Sequence, residues 1–239
     1  MIKATYIQHC GNDLMVVNAA RVSFAKESAM FSDKDAGLIR YLAKHNHKSP
    51  FNHTFATFRV KAPIFVARQL VKHEYMPWNE VSRRYVDDEP EFYEPDVWRG
   101  RAEDKKQGSS DVDMTEITIN EPDSYFDGDY VDDKAGLQPW VLYTANIEDI
   151  VQDTYERSYW TYEKLINGGV APEQARMVLP QSTMTEWYWS GSLDAFADMC
   201  KLRTTDDTQY ETRVAAVLLS NKMLELFPVS WYELLRTVR

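Results

Sequence analysis

The sequence predicts an α+β fold built as one domain, in which helices interrupt a few strands. The chain has 239 residues, of which 44% are hydrophobic and 13% aromatic, so it is long and apolar enough to bury one large core. Segments with helical spacing of apolar residues are separated by shorter segments rich in aromatic residues. The predicted domain covers residues 1–239 and carries an acidic insertion around residues 104–140.

Two strands and two helices are expected before the segment that holds most of the chemistry. A strand is predicted at residues 4–8, a helix near residues 14–21 and a second helix at Asp33–Lys44. Apolar and polar residues alternate imperfectly at 54–61, which favours a second strand.

The sequence after the predicted insertion indicates four helices and one strand. A long helix at 146–166 ends at Gly168-Gly169, and a short helix opens at Pro172 and stops before Pro180. Residues 184–190 suit a strand rich in Trp and Tyr. Ser192 is a plausible N-cap for a helix at 193–202, and a last helix is predicted at 207–226.

Phosphate-binding chemistry is concentrated in residues 61–74 and the following residues 78–85. Pro63 suits the first turn of a helix, where its missing N–H is not needed. Pro77 ends that helix, so residues 79–84 are expected to fold back toward its polar end. Guanidinium, hydroxyl and backbone N–H donors in one place suit an anionic nucleotide. A charged, solvated helix end remains the alternative.

Composition excludes several classes of partner. With 27 basic and 37 acidic residues the net charge is −10, which argues against a general nucleic-acid binder. No apolar run approaches the roughly 20 residues of a membrane span. The N-terminus lacks a signal peptide's apolar core, so we expect no membrane partner and a cytoplasmic location. Cys10 and Cys200 form neither a disulfide framework nor a metal spacing, and both are expected to be buried.

Acidic residues cluster between Asp87 and Asp153 with few basic residues among them. Their spacing is not that of a calcium loop, so a solvated surface is the expected role. This part of the chain is predicted to be an inserted loop rather than a separate domain.

A family resemblance follows from the chemistry-bearing segment. Lys72-His73-Glu74, then seven residues, Ser82 and Tyr85 resemble the pattern Arg-His-Arg, seven residues, Ser, then Tyr of the flavin-dependent thymidylate synthases. The similarity continues in order through most of the chain, at residues 11–14, 19–24, 47–53, 91–93, 174–176, 179–180, 202–203, Gln209 and Glu211.

The resemblance implies both an architecture and a reaction. The architecture would be a mixed sheet flanked by helices, in a homotetramer whose active sites are shared between subunits. The reaction would methylate dUMP to dTMP with methylenetetrahydrofolate as one-carbon donor, FAD as redox cofactor and NADPH as reductant, without a cysteine nucleophile.

The resemblance also implies roles for individual residues. Arg203 would be catalytic; because a guanidinium cannot act as a base at neutral pH, its role would be electrostatic stabilisation of the activated uracil ring. The residues implied to bind dUMP are Gln69, Leu70, Val71, Lys72, Glu80, Val81, Ser82, Arg83, Arg84, Arg176 and Arg203. Those implied to bind FAD are Ser23, His47, Ser49, Lys72, His73, Glu74, Glu80, Ser192, Leu193, Asp194 and Asp198.

No metal site is predicted. Four histidines fall in one short region, at positions 45, 47, 53 and 73, but their spacing matches no zinc pattern.

The departures from the family pattern set the alternatives. Lys72 and Glu74 stand where the family has arginines. Lys72 replaces a bidentate guanidinium with a point charge, and Glu74 replaces a positive charge with a negative one. Asp194, Asp198 and Asp207 add acidic groups near the expected cofactor. We therefore hypothesise an intact nucleotide site with weakened or rearranged flavin contacts. The alternatives are a nucleotide-binding homologue without catalysis, an enzyme for another pyrimidine nucleotide, and an interaction protein whose residues 187–189 form a partner surface, although such aromatic runs more often lie in a sheet core.

Overall fold

The computed structural model describes residues 1–103, 108–122 and 140–237. The strands in these ranges are β1 Lys3–Cys10, β2 Phe55–Pro63, β3 Trp78–Glu80, β4 Trp98–Arg101, β5 Ser109–Met114, β6 Glu116–Pro122, β7 Trp140–Asn146 and β8 Met184–Ser192. The α-helices are α1 Asp13–Arg21, α2 Asp33–Lys44, α3 Ile64–Leu70, α4 Ile147–Asn167, α5 Pro172–Ala175, α6 Leu193–Arg203, α7 Tyr210–Leu226 and α8 Pro228–Arg236. Short 3₁₀ helices occupy Val22–Phe24, Ser49–His53 and Arg176–Val178. The predicted α+β class is confirmed.

The central sheet has the strand order β1-β2-β8-β3. Every second residue of β2 and β8 is buried, as expected for strands with one face on a core. Phe58 pairs with Trp189 across these strands, and both side chains are fully buried. Trp78 on β3 stacks on Trp187 with ring centroids 4.3 Å apart. The aromatic run at 187–189 thus supplies two buried tryptophans to the core, while Tyr188 between them is exposed.

The prediction of a mixed sheet was wrong in strand direction. All pairings of the central sheet within the described ranges are antiparallel. Two helices, α1 and α2, lie between β1 and β2, rather than the single crossover helix that commonly joins neighbouring parallel strands.

Helices α2, α6, α7 and α8 pack together beside the sheet. Helix α8 was not predicted, although Pro228 in its first turn is a common start signal. The carboxylate of Asp13 on α1 accepts hydrogen bonds from the backbone N–H groups of Val229 and Ser230, both at 2.9 Å. It thereby caps α8 from the other end of the chain. No helix in the described ranges combines the length and apolar content needed to cross a bilayer.

The described residues of the predicted insertion form strands where a loop was expected. Strands β4 and β5 make one antiparallel hairpin, and β6 and β7 make another. The alternation of Ile117 and Ile119 with Thr118 and Asn120 is a strand signal that the count of acidic residues obscured. The rest of the 104–140 segment lies outside the described residues.

Candidate active site

An open cleft of about 840 Å³ lies between α3, the β4–β5 hairpin and the start of α7. This volume falls within the roughly 300–1,000 Å³ of ligand pockets. Its polar lining includes Gln69, Lys72, Arg99, Arg203, Gln209 and Glu211. Its apolar and aromatic lining includes Phe65, Tyr93, Trp98, Tyr155 and Tyr210.

Arg203, the last residue of α6, is fixed at the cleft by two hydrogen bonds. Its Nε donates to Nε2 of His73 at 3.1 Å, and its Nη2 donates to the backbone carbonyl of Gln69 at 3.3 Å. Its Nη1 makes no hydrogen bond within the described ranges. Burial lowers the pKa of Arg203, yet a guanidinium remains charged at neutral pH. The site therefore holds a positioned cation with one nitrogen left for a ligand.

His73 is a neutral acceptor for Arg203. Burial, followed by the positive charge of Arg203, lowers the pKa of His73 to about 4, against a smaller opposing effect of Asp198. The unprotonated Nε2 accepts a hydrogen bond from the guanidinium Nε–H, which places the imidazole proton on Nδ1. Helix α3 ends at Leu70, so Lys72 and His73 lie in the turn after the helix. A hydrogen bond from His73 N–H to the Leu70 carbonyl at 3.2 Å closes this turn.

A chain of side-chain hydrogen bonds crosses the cleft wall. Gln69 Nε2 donates to Gln209 Oε1 at 2.6 Å, and Gln209 Nε2 donates to Glu211 Oε2 at 3.1 Å. Glu211 also forms an ion pair with Arg99 of β4. Sequence reasoning missed Arg99, whose partner lies 112 residues away along the chain.

Tyr93 adds a protonated phenol to the cleft. Burial, with smaller contributions from neighbouring charges led by Glu211, raises the pKa of Tyr93 to about 12. Its backbone carbonyl accepts a hydrogen bond from the Tyr155 hydroxyl at 2.8 Å. Tyr93 belongs to the segment that carried the family resemblance, but its position in the cleft was not predicted.

The predicted dUMP residues include two separate groups, and only the first, Gln69, Lys72 and Arg203, lines the cleft. Arg84 Nε lies 3.6 Å from the Glu173 carboxylate, and Arg176 Nε donates to the Glu173 carbonyl at 3.3 Å. Ser82 is close by in sequence, and its Oγ accepts the N–H of Arg84 at 3.3 Å. This second group, Ser82, Arg84 and Arg176, does not line the cleft of its own chain.

The other predicted dUMP residues also lie outside the lining of the cleft. The Leu70 side chain is fully buried, whereas Val71 is exposed. The Arg83 guanidinium donates to the backbone carbonyls of Asp88 and Glu89.

Glu80 and Val81 hold β3 against β8. Thr185 donates to Glu80 Oε1 at 2.8 Å, and Trp78 Nε1 donates to Glu80 Oε2 at 3.1 Å. Val81 N–H donates to the Glu186 carbonyl at 2.8 Å. Both carboxylate oxygens of Glu80 therefore already accept hydrogen bonds from the protein.

A second cavity of about 280 Å³ gathers part of the predicted flavin set, including His47, Asp194 and Asp198. Lys48, which was not predicted, donates to Asp194 at 3.0 Å and to Asp198 at 2.7 Å. Burial lowers the pKa of Lys48, but the hydrogen bonds to Asp198 and Asp194 outweigh it and raise the pKa overall. Asp194 and Asp198 are therefore paired with a cation, Lys48, that lies far from them in the sequence.

The remaining predicted flavin residues are dispersed. Ser192 caps α6 as predicted, since its Oγ accepts the N–H of Ala195 at 3.2 Å. Leu193 is fully buried, and its backbone N–H donates to the Thr54 carbonyl at 3.1 Å. Ser23, Ser49 and Glu74 are exposed.

Neither cysteine lines the cleft. Cys200 is fully buried, and burial raises the pKa of its thiol. The expectation of burial is wrong for Cys10, which is exposed because it ends β1 at the edge of the sheet. Among the residues that the structure describes, no three His, Cys, Asp or Glu side chains are grouped to hold a metal ion.

Comparison with known proteins gives a consistent family. Residues 5–229 match the model of the family described as thymidylate synthase complementing protein. The flavin-dependent thymidylate synthase of Thermosipho africanus is 34% identical over 218 residues, which is 91% of this chain and 84% of that protein. The enzyme of the same name from Thermus thermophilus is 35% identical over 94% of this chain and 72% of its own length.

Solved structures agree with these matches. The crystal structure of PolB, a UMP/dUMP methylase from Streptomyces cacaoi bound with 5-Br dUMP, has a TM-score of 0.71 and 31% identity, covering 98% of this chain and 94% of that chain. The same protein bound with 5-Br UMP gives a TM-score of 0.73 and 28% identity, over 98% and 93% of the two chains.

Proposed function

Since this chain belongs to the family of flavin-dependent thymidylate synthases, we propose that it methylates dUMP to dTMP. The reaction takes the one-carbon unit of methylenetetrahydrofolate and a hydride and proton, ultimately from NADPH and water, and yields dTMP, tetrahydrofolate and oxidised NADP. Bound FAD would relay the reducing equivalents, which leaves binding, orientation and charge stabilisation to the protein.

The observation that carries this proposal is the fixed cation at the cleft. Methylation at carbon five requires electron density on the uracil ring, and negative charge then builds on its carbonyl oxygens. Arg203 stabilises that charge because neutral His73 and the Gln69 carbonyl already hold its guanidinium in place. A preoriented charge needs no reorganisation during the reaction, so its effect is larger than that of a mobile side chain.

Activation of the ring through a cysteine does not fit this site. The thiol of Cys200 lies in the core and has a raised pKa, and Cys10 is on the edge strand β1. A thiolate nucleophile needs a lowered pKa and access to the substrate. Electrostatic activation by Arg203 remains the mechanism that the cleft residues support.

The phosphate and sugar would be held by the second group, Ser82, Arg84 and Arg176. Two guanidinium groups and a hydroxyl are the donors that a phosphate prefers. Because this group does not line the cleft of its own chain, we propose that it completes the cleft of a neighbouring copy in a homotetramer.

The cavity beside Lys48 fits part of FAD. Lys48 and His47 line the cavity with a cation and an imidazole, and Lys48 offsets the negative charge of Asp194 and Asp198. At about 280 Å³ the cavity is too small for a whole dinucleotide. The rest of FAD would lie against a second copy, with the departures at Lys72 and Glu74 weakening its hold.

The test is chromatographic detection of dTMP from dUMP, methylenetetrahydrofolate and NADPH, with and without added FAD. We expect dTMP formation that depends on FAD. Arg203→Lys should lower kcat by roughly a hundredfold or more, since an ammonium cannot keep both hydrogen bonds while facing the ring. Binding of dUMP to a folded protein without dTMP formation under any flavin supply would instead identify a nucleotide-binding homologue that lacks catalysis.

UMP is a second candidate substrate. The structural neighbour PolB is a UMP/dUMP methylase, and its structures contain the brominated analogues of both nucleotides. A competition assay with equal UMP and dUMP, followed by separation of the two methylated products, distinguishes the substrates. Methylation of UMP at a rate within about tenfold of dUMP would make the chain a dual pyrimidine methylase.

A further inference from the structure

Arg99 joins the β4–β5 hairpin to the wall of the cleft. Its Nη2 lies 2.5 Å from Glu211 Oε1, its Nε donates to Ser109 Oγ at 3.0 Å, and its guanidinium lies 4.4 Å from the centre of the Tyr210 ring. The side chain is only 24% exposed. The guanidinium is therefore held from three directions, by a carboxylate, a hydroxyl and an aromatic face.

The hairpin backbone is itself constrained at this position. The pairing of β4 with β5 shifts register between Arg99 and Arg101. A Cβ at Gly100 between them would lie 2.8 Å from Ser110 Oγ, so a larger residue there would displace the Ser110 side chain. Register shifts of this kind redirect side chains, and here the hairpin delivers one arginine to the cleft.

Arg99 pairs with Glu211, a buried carboxylate in the cleft. Two other cations among the described residues line the same cleft. The Glu211 side chain is 5% exposed, and the cleft is lined as well by Arg203 and Lys72. A buried carboxylate that loses its counter-ion is left with an uncompensated negative charge. In this cleft such a carboxylate would compete with the substrate for Arg203.

Glu211 is also linked to Arg203 by the hydrogen-bond chain described above. Its Oε2 accepts from Gln209, Gln209 accepts from the Gln69 side chain, and the Gln69 carbonyl accepts from Arg203. If Glu211 moved, the hydrogen bonds that hold the Arg203 guanidinium would therefore change, and so would the charges around it.

We propose that Arg99 is a positioning residue, which by pairing with Glu211 keeps that carboxylate away from Arg203 and leaves the Arg203 guanidinium to face the substrate. The proposal rests on the proposed function in so far as turnover is its readout. It gives the β4–β5 hairpin a part in the active site, although Arg99 itself need not touch the reacting atoms.

The test compares kcat and KM for dUMP in four variants at a temperature where thermal unfolding shows each to be folded. Arg99→Met removes the counter-ion, and Arg99→Lys keeps the charge. The double variant Arg99→Met/Glu211→Gln removes the counter-ion together with the charge that it balances. Arg101→Met is the matched control, an exposed arginine in the same strand that does not line the cleft.

We expect Arg99→Met to lower kcat by roughly tenfold or more, with a smaller change in KM, since the charge on Arg203 is redirected rather than lost. Arg99→Lys should lose less. The double variant should return to within about threefold of the unchanged protein, because two neutral groups replace a balanced pair. Arg101→Met should leave both constants unchanged.

A purely structural role for Arg99 predicts another pattern. If the ion pair only ties the hairpin to α7, the double variant loses that tie as well and remains as slow as Arg99→Met. A double variant without recovery would overturn the proposal. If Arg99→Met fails to fold, the comparison of the double variant with Arg99→Lys still decides, because the double variant contains no unbalanced buried charge.

A second readout does not depend on turnover. In protein labelled with ¹⁵N-arginine, the Nε–H resonance of Arg203, assigned by its loss in Arg203→Lys, reports the bond to His73. It should shift in Arg99→Met and return in the double variant. An unmoved resonance overturns the positioning role, whereas the absence of dTMP formation by the unchanged protein overturns the proposed function and leaves this readout in force.

Discussion

The pairing of Arg203 with His73 shows how two basic side chains are stabilised in contact. If both side chains were protonated, their positive charges would repel each other. Burial resolves the conflict by keeping the imidazole neutral, with its pKa lowered to about 4, so that it accepts a hydrogen bond from the guanidinium N–H. The family-like triplet at 72–74 therefore contributes a positioning group to the proposed catalytic cation.

His73 should make the stability of the protein depend on pH. Between its ordinary pKa of 6.5 and its folded-state pKa of about 4, the unfolded chain takes up a proton on His73 that the folded chain does not. The free energy of unfolding therefore falls as the pH drops through this window, by on the order of 2 kcal/mol from this residue once the shift is discounted for partial solvent screening of the half-buried ring. His73→Gln keeps a neutral acceptor for Arg203 but cannot titrate.

Urea unfolding of both proteins across this window, at one protein concentration, measures the difference. We expect the variant to lose less stability than the unchanged protein toward pH 4. Parallel curves for the two proteins would show that His73 is not the group responsible.

Among the elements, those with local stop and start signals were predicted well. Ser192 caps α6 as expected, and Gly168-Gly169 ends α4, where Gly169 has the positive φ of 85° that glycine adopts readily. Helix α8 and the two hairpins were missed. Pro228 and the alternation at 117–120 were local signals for α8 and β6, whereas the contact between Asp13 and α8 spans most of the chain and no local pattern records it.

Removing the cap from α8 should destabilise the protein without altering its chemistry. Asp13→Ala leaves the N–H groups of Val229 and Ser230 without their acceptor, at a cost of about 1–3 kcal/mol. Asp13→Asn retains one acceptor oxygen and should cost less. Asp33→Ala, at an exposed position in the first turn of α2, is the matched control.

The midpoint of urea unfolding with an unchanged slope is the appropriate measure, with dTMP formation assayed well below the transition. A loss in Asp13→Ala no larger than that in Asp33→Ala would mean that the cap contributes nothing to stability.

The sequence could supply the identity of the chemical groups but not their distribution in space. Arg203, Gln69 and Lys72 were predicted together and line one cleft, whereas Arg84 and Arg176 were predicted with them and meet at Glu173 instead. Spacing along a chain shows that residues belong to one function. It does not show whether one copy of the chain or two bring them together.

The division of the dUMP residues leads to a prediction for the whole assembly. If the cleft of one copy is completed by Ser82, Arg84 and Arg176 of another, each site needs Arg203 from one chain and Arg84 from a second. Arg203→Ala and Arg84→Ala should each be inactive alone. Hybrid tetramers from co-expression of the two should recover roughly a quarter of the activity, because that fraction of sites receives both arginines unchanged.

The control is co-expression of the unchanged chain with the double variant Arg84→Ala/Arg203→Ala. Shared sites formed at random again leave roughly a quarter intact in this mixture, whereas sites within one chain leave about half. The two mixtures thus distinguish the arrangements independently. Shared sites recover activity in the first mixture and sites within one chain do not, whereas in the second mixture sites within one chain retain the larger fraction of activity. Recovery in the first mixture would establish that the cleft and the group around Glu173 act as one site across two subunits, and its absence from folded hybrid tetramers would return both arginines to a single chain.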